Sequence, residues 1–222
     1  MNGSMLAQRW QALHDEMEQG GVTMLAVSKY HSDEDVAALA ALGQRDFGES
    51  RPQALRDRAQ KFPELNWHMI GPVQKNKAKY VGRYAAMWHS LSDIEVARAV
   101  AAHVENRELP VLLQINISGE GQKQGVAPQA ARDLLEQVKA IDGLKVIGLM
   151  GMAAKFVAGD EGSVRDSFRM LRNLQDQLGD ANLRQLCMGM SGDFRIAIEE
   201  GATMVRLGTV LFEPEQFESA HG

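Results

Sequence analysis

Cysteine is almost absent from this chain: Cys187 stands alone among 222 residues. An internal disulfide and a cysteine-built metal centre are thereby excluded, which suits a reducing cytosol and a metal-free mechanism. Cys187 itself is expected as a small core residue. Positive charge is not in excess either. A formal net charge of −5 and an isoelectric point near 5.7 leave no basic face for nucleic acid or anionic lipid, and the cluster Lys75, Lys77 and Lys79 is only local. No apolar run approaches the roughly 20 residues needed to cross a bilayer, and the amino terminus lacks the basic-then-apolar pattern of a secretory signal. Linkers, repeats and low-complexity segments are missing too. Together these absences predict a cytoplasmic protein with neither nucleic acid nor membrane as a partner. What is present, 45% hydrophobic and 24% charged residues, suffices for one large core, so residues 1–222 are expected to form a single domain with its core over about 22–212.

A helix is expected over 6–18, where Leu6, Trp10, Leu13 and Met17 recur at helical spacing. Beyond it, short apolar runs alternate with helix-like segments. The runs fall near 24–27, 46–47, 67–70, 87–88, 111–115, 146–149, 185–188 and 204–207, and the helices near 33–42, 52–61, 74–81, 94–106, 128–141, 164–178 and 193–200. About eight strands joined by helices demand right-handed crossovers and a parallel sheet. The expected architecture is therefore α/β, closed as a (β/α)8 TIM barrel with an extra N-terminal helix; a doubly wound open sheet is the alternative. Ser92 and Asp93 can cap the helix that follows them, Pro128 suits a first helical turn, and Gly43, Gly143, Gly179 and Gly201 stand where helices should end. The stretch 151–162 is expected as a rim loop, residues 2–4 as a disordered start, and the residues after Phe212 as a frayed polar tail.

In a barrel of this type the working residues occupy the carboxyl ends of the strands. The first strand delivers Lys29 there, after the run Met24-Leu25-Ala26-Val27-Ser28. Burial among apolar neighbours would keep its amine neutral and able to condense with an aldehyde; the alternative is a lysine whose head simply reaches water. Glycines and hydroxyls after strands seven and eight, each leading into a helical start, offer an anion free N–H groups and hydroxyl donors. Ser191, Gly192, Gly208 and Thr209 are accordingly the candidate phosphate ligands, unless Ser191 or Asp193 is only a helix cap and Gly208 only a tight turn. Arg206 lies inside an apolar strand and needs an acceptor, either a carboxylate from Glu49 or Asp193 or a ligand ring nitrogen. Gln114 and Asn116 interrupt an apolar run at alternate positions and can point into the barrel mouth. His68, between Trp67 and Met69, is either a core histidine or a catalyst. The methionines 150, 152, 188 and 190 suit barrel packing.

Taken in order, Lys29, Phe47-Gly48-Glu49, Trp67-His68-Met69-Ile70-Gly71 with Gln74 and Asn76-Lys77, Gln114-Ile115-Asn116, Gly148-Leu149-Met150, Met188-Gly189-Met190-Ser191 and Val205-Arg206-Leu207-Gly208-Thr209 resemble the pyridoxal phosphate homeostasis protein family over about 24–212. The resemblance implies the barrel of the alanine racemase N-terminal-domain type without its additional β domain. It also implies binding of pyridoxal 5′-phosphate (PLP) without an established turnover. In that family pattern Lys29 forms the internal aldimine, Ser191, Gly208 and Thr209 hold the phosphate, and Arg206 faces the pyridine nitrogen. Gly192, Ser50, His68 and Met150 complete the expected set of contacts. A cation beside that nitrogen keeps it unprotonated and weakens the ring as an electron sink. The chain departs from the family at Gly48-Glu49-Ser50-Arg51, where many members carry Gly-Glu-Asn-Tyr.

Three functions compete on these grounds. The first is a non-enzymatic PLP carrier in vitamin B6 homeostasis, with PLP-dependent apo-enzymes as candidate recipients. The second is a PLP-dependent amino-acid racemase with Lys29 as one base and His68 or another residue as the second. The third is a Schiff-base aldolase in which Lys29 captures a sugar phosphate without a cofactor. The resemblance leaves no room in 222 residues for a second, dimerising domain, so a monomer or weak dimer is expected.

Overall fold

The computed structural model describes residues 3–118, 124–153 and 161–213. Most of the expected rim loop, the polar tail beyond Glu213, and Asn2 of the expected disordered start lie outside the described residues. Gly3 and Ser4 open a helix, α1 (Gly3–Gly20), which is longer at both ends than its apolar spacing predicted.

Eight strands alternate with the remaining helices. In chain order they are β1 (Thr23–Val27), α2 (Asp33–Ala41), β2 (Asp46–Glu49), α3 (Pro52–Lys61), β3 (Asn66–Met69), α4 (Ala78–Tyr84), β4 (Met87–Leu91), α5 (Ile94–Ala101), β5 (Leu109–Ile115), α6 (Ala131–Lys139), β6 (Leu144–Gly151), α7 (Glu161–Leu178), β7 (Gln185–Met190), α8 (Phe194–Glu199), β8 (Met204–Leu207) and α9 (Thr209–Phe212). Every neighbouring pair is parallel, and β8 returns to pair with β1, so the sheet is a closed barrel and not an open doubly wound one. The helix expected over 74–81 is split into a short 3-10 turn and α4. The one expected over 94–106 stops at Ala101, short of Asn106, which adopts a left-handed φ of 55°. Asp93 caps α5 by accepting from the amides of Glu95 and Val96.

Alternation along each strand separates two cores. Phe47, Trp67, Trp88, Leu113, Leu149 and Val205 point outward into the large cluster under the helices. Their neighbours Leu25, Leu112, Met150, Cys187 and Met204 form a smaller cluster that fills the lumen. Polar residues one step from outward-facing ones therefore enter the lumen as well: Asp46, His68, His89, Gln114 and Arg206. Cys187 is the buried core residue expected, its thiol pushed up to about 11 by burial, with Arg206 acting against the shift. At Gly148 the sheet has no space for a side chain, because a Cβ there would stand 2.0 Å from the Gln185 carbonyl oxygen on β7.

Helix α1 lies across the outside of this barrel. Leu6, Trp10, Leu13 and Met17 are all buried, and Trp10 Nε1 donates to Gln44 Oε1 at 3.1 Å. Arg9, also buried, donates from Nε to the Leu211 carbonyl at 2.9 Å and from Nη2 to the Phe212 carbonyl at 3.3 Å. A cation on the last carbonyls of a one-turn helix supplies what so short a helix lacks for itself. Arg9→Met should thus cost about 1–2 kcal/mol of stability. Amide exchange at Leu211 and Phe212, whose N–H groups bond the Gly208 carbonyl, should accelerate more than in β1; unchanged protection there would show that α9 holds itself. Among the described residues no helix is long and apolar enough to cross a membrane.

Candidate functional site

Closure of the barrel brings the first and last strands together. Ala26 pairs with Leu207, and a Cβ on Gly208 would lie 3.6 Å from Val27. The loop after β8 therefore abuts the end of β1, two residues before Lys29. Lys29 itself sits in a tight turn in which the His31 amide donates to the Ser28 carbonyl at 3.0 Å. The expectation that apolar burial shields its amine is not met: Lys29 is exposed at the rim, and its ammonium end stands 5.6 Å from the ring of Tyr30. The reason is the turn, which leaves the sheet at once and carries the chain into water. Tyr30 is 87% exposed and holds a φ of 81°, a conformation costly for a bulky residue.

The turn is held from both sides. The His31 ring stacks on Phe212 of α9 with centroids 3.7 Å apart. Arg58 of α3 bonds the carbonyls of His31 and Ser32 and pairs with Asp33, while its Nε stands 3.9 Å from Glu49. Glu49 also accepts from Ser28 Oγ at 3.0 Å. Burial pushes its carboxyl above the ordinary range, with Ser28 and the arginines 58 and 51 opposing.

The loops after β7 and β8 are joined by one hydroxyl. Ser191 Oγ accepts from the Gly208 amide at 3.3 Å and from the Val210 amide at 3.2 Å. Ser191 is therefore no cap of α8, and Asp193, though it precedes that helix, makes no side-chain cap; it accepts instead from the Met190 amide at 2.6 Å. Gly192 and Thr209 are exposed beside this bridge, with nothing within 4 Å of where a Cβ on Gly192 would stand. Lys29, Ser191, Gly192, Gly208 and Thr209 thus come together at one rim.

The lumen below that rim holds Arg206, 5% exposed. Its Nη2 donates to the Gly151 carbonyl at 3.4 Å, and its Nε has no hydrogen-bond partner. The carboxylate partners weighed from sequence are engaged elsewhere. Glu49 follows the inward Gly48 and so turns out toward α3, on the wrong side of the sheet to reach Arg206, and Asp193 accepts from the Met190 amide, near enough for the charge of Arg206 to act on it but not hydrogen-bonded to it. A buried guanidinium with a free Nε calls for a further acceptor that the protein side chains do not supply. Met150 is fully buried in the lumen cluster, as packing predicts. Ser50 is half-buried at the end of β2, its carbonyl only 2.1 Å from where a Cβ on Gly71 would lie.

His68 is a satisfied lumen histidine. Its Nε2 lies 3.1 Å from Asp46 Oδ1 and its Nδ1 2.9 Å from His89 Nε2. His89 lies just beyond the apolar run 87–88, in residues that the barrel adds to β4. Its signal was the sequence Trp88-His89-Ser90-Leu91, apolar at its two ends with polar residues between, which the barrel continues as β4.

Comparison with known proteins agrees with this architecture. The family described as alanine racemase, N-terminal domain, matches residues 1–215. A pyridoxal phosphate homeostasis protein of Deinococcus radiodurans is 40% identical over 195 residues, covering 87% of this chain and 90% of its own. The solved structure of PipY from Synechococcus elongatus PCC7942 with PLP bound superposes with a TM-score of 0.82 at 29% identity, over 93% of this chain and 99% of that one. Alanine racemase of Corynebacterium glutamicum, 14% identical with a TM-score of 0.74 over 94% of this chain and 60% of its own, shares the fold alone. With that barrel, that coverage and that identity, the chain belongs to the pyridoxal phosphate homeostasis protein family, built on the alanine racemase N-terminal domain.

Proposed function

We propose that this protein is a PLP carrier of the cytoplasm, a single barrel domain that holds the cofactor at the carboxyl rim and passes it on without turning over a substrate. The observation that carries the reading is the convergence of an accessible amine, a glycine- and hydroxyl-rich double loop, and a buried guanidinium with a free Nε at one mouth, from β1, β7 and β8. PLP offers the complementary aldehyde, phosphate and pyridine nitrogen, and when bound it supplies an electron-withdrawing ring. Lys29 is the amine for the aldehyde. Ser191, Gly192, Gly208 and Thr209 take the phosphate, with Ser191 Oγ holding the two loops at a fixed separation. Arg206 would present its guanidinium to the ring nitrogen, where a fixed cation disfavours protonation and so weakens the ring for carbanion chemistry. Ser50 and Met150 flank the site.

The racemase reading needs a second base opposite Lys29. His68 does not support it, since both ring nitrogens are occupied deep in the lumen. The exposure of Lys29 favours exchange with partners, apo-enzymes that need PLP, over a sealed reaction chamber.

Titration with PLP, followed by visible absorbance and by borohydride reduction with intact-mass analysis, should reveal one pyridoxyl increment. Pyridoxal, which lacks the phosphate ester, should bind at least roughly tenfold more weakly, a difference of about 1.4 kcal/mol. Equal affinity for the two would exclude the double loop as a phosphate site.

A further inference from the structure

Three side chains form a continuous hydrogen-bonded line inside the barrel, and the carrier reading assigns none of them a task. Asp46, at the start of β2, touches His68 on β3, which touches His89 on β4. Asp46 is 30% exposed at its side chain, whereas His89 is wholly enclosed. Burial opposes charge on Asp46, but hydrogen bonds from His68 and Asn66 leave its carboxyl below the ordinary range. An ionised carboxylate only accepts, so an imidazole at His68 that carries a single proton holds it on Nε2 and keeps a lone pair at Nδ1. That lone pair must accept from His89 Nε2–H. His89, whose pKa is held well below the ordinary histidine value first by burial and also by the charge of Arg206, is then left with a lone pair at Nδ1.

Among the described buried side chains, His89 Nδ1 and Arg206 Nε are the two polar atoms without a partner. One is an acceptor and the other a donor. They stand on strands on opposite sides of the closed barrel, too far apart for a direct hydrogen bond and near enough for the charge of Arg206 to act on His89. The lumen they enter is otherwise lined by the apolar cluster of Leu25, Leu112, Met150, Cys187 and Met204. A group that both accepts and donates would satisfy the two ends.

We propose that Asp46, His68 and His89 are a positioning relay, fixing His89 Nδ1 as the acceptor for one bound water that in turn receives a guanidinium N–H of Arg206 and so sets where Arg206 stands in the lumen. The relay rests on these side chains and not on the identity of the ligand.

Side-chain nitrogen–proton correlation spectra of the ligand-free protein at neutral pH should place both His68 and His89 in the Nε2–H form, and Asp46→Ala should release that preference. A crystal structure should show a water at His89 Nδ1. His89→Asn keeps an amide near the Nδ1 position, and His89→Gln keeps one near Nε2. PLP affinity should therefore fall roughly tenfold in the Gln variant and stay within about threefold of wild type in the Asn variant. An Nδ1–H form of His89 in the wild-type protein, or equal losses in the two variants, overturns the relay. Failure of the wild-type protein to bind PLP would sink the carrier reading while leaving the spectra to decide the relay.

Discussion

Lys29→Ala should eliminate the borohydride-fixed pyridoxyl adduct and reduce PLP affinity by roughly a hundredfold or more, because noncovalent contacts alone would remain. The informative part is what the substitution leaves untouched. Lys29 is exposed and lies outside both hydrophobic cores, so its removal should change folding stability by no more than about 0.5 kcal/mol. Its turn is secured by backbone and neighbouring groups, through the His31–Ser28 hydrogen bond, the His31–Phe212 stack and Arg58. A loss of adduct in a fully folded protein is then a chemical effect of the missing amine. Lys75, paired with Glu95 at 3.1 Å on the loop after β3, is the control; Lys75→Ala should keep the adduct. An intact adduct in the Lys29 variant would move the carbonyl-binding amine elsewhere and remove the centre of the functional proposal.

Gly148→Ala should cause the largest loss of stability from a single methyl group. Its Cβ would meet the Gln185 oxygen at 2.0 Å and the Gln185 carbonyl carbon at 2.6 Å, backbone atoms that cannot rotate away. Gly148 and Gln185 are register partners, so relief requires β6 and β7 to separate at the start of their pairing. Overpacking of this severity costs about 3 kcal/mol or more, which lowers the melting midpoint by roughly 6–12 °C in a protein of this size. Gly162→Ala provides the contrast. It lies in α7 with nothing within 4 Å of the added carbon, and alanine's better helix propensity should raise stability by about 0.5–1 kcal/mol. If the two variants melted together, the close approach of β6 and β7 would be relaxed in solution.

Much of the fold can be read directly from the residues. Pro52 and the basic residues near Lys61 mark α3 where it occurs, and the apolar run 204–207 coincides with β8. Site residues separate into two groups. The Ser191, Gly208 and Thr209 loops are recognisable because turn and hydroxyl chemistry is local. Arg206 announces from sequence only that it needs an acceptor. Which carboxylate cannot reach it follows from the face to which Glu49 turns, and that is a property of the assembled sheet. Lys29 is a related case: its apolar approach is compatible with burial or with a head that reaches water, and the direction of the turn after Val27 decides for exposure. His89 was missed because a histidine and a serine after Trp88 look like a loop until β3 and β5 lie alongside.

The order of apolar runs, caps and glycines by itself determined about eight parallel strands alternating with helices, with Lys29 and the glycine-rich loops at the carboxyl ends of their strands, because strand alternation and helical spacing are encoded within a few residues of each position; closure into a barrel was decided by the pairing of β1 with β8. Tertiary structure alone decided that Ser191 would knit the last two loops, that Asp46, His68 and His89 would align, and that Arg206 would keep an open Nε. Those contacts join side chains of different strands, and their geometry exists only once the strands pair in register and closure between β1 and β8 sets the stagger of the barrel.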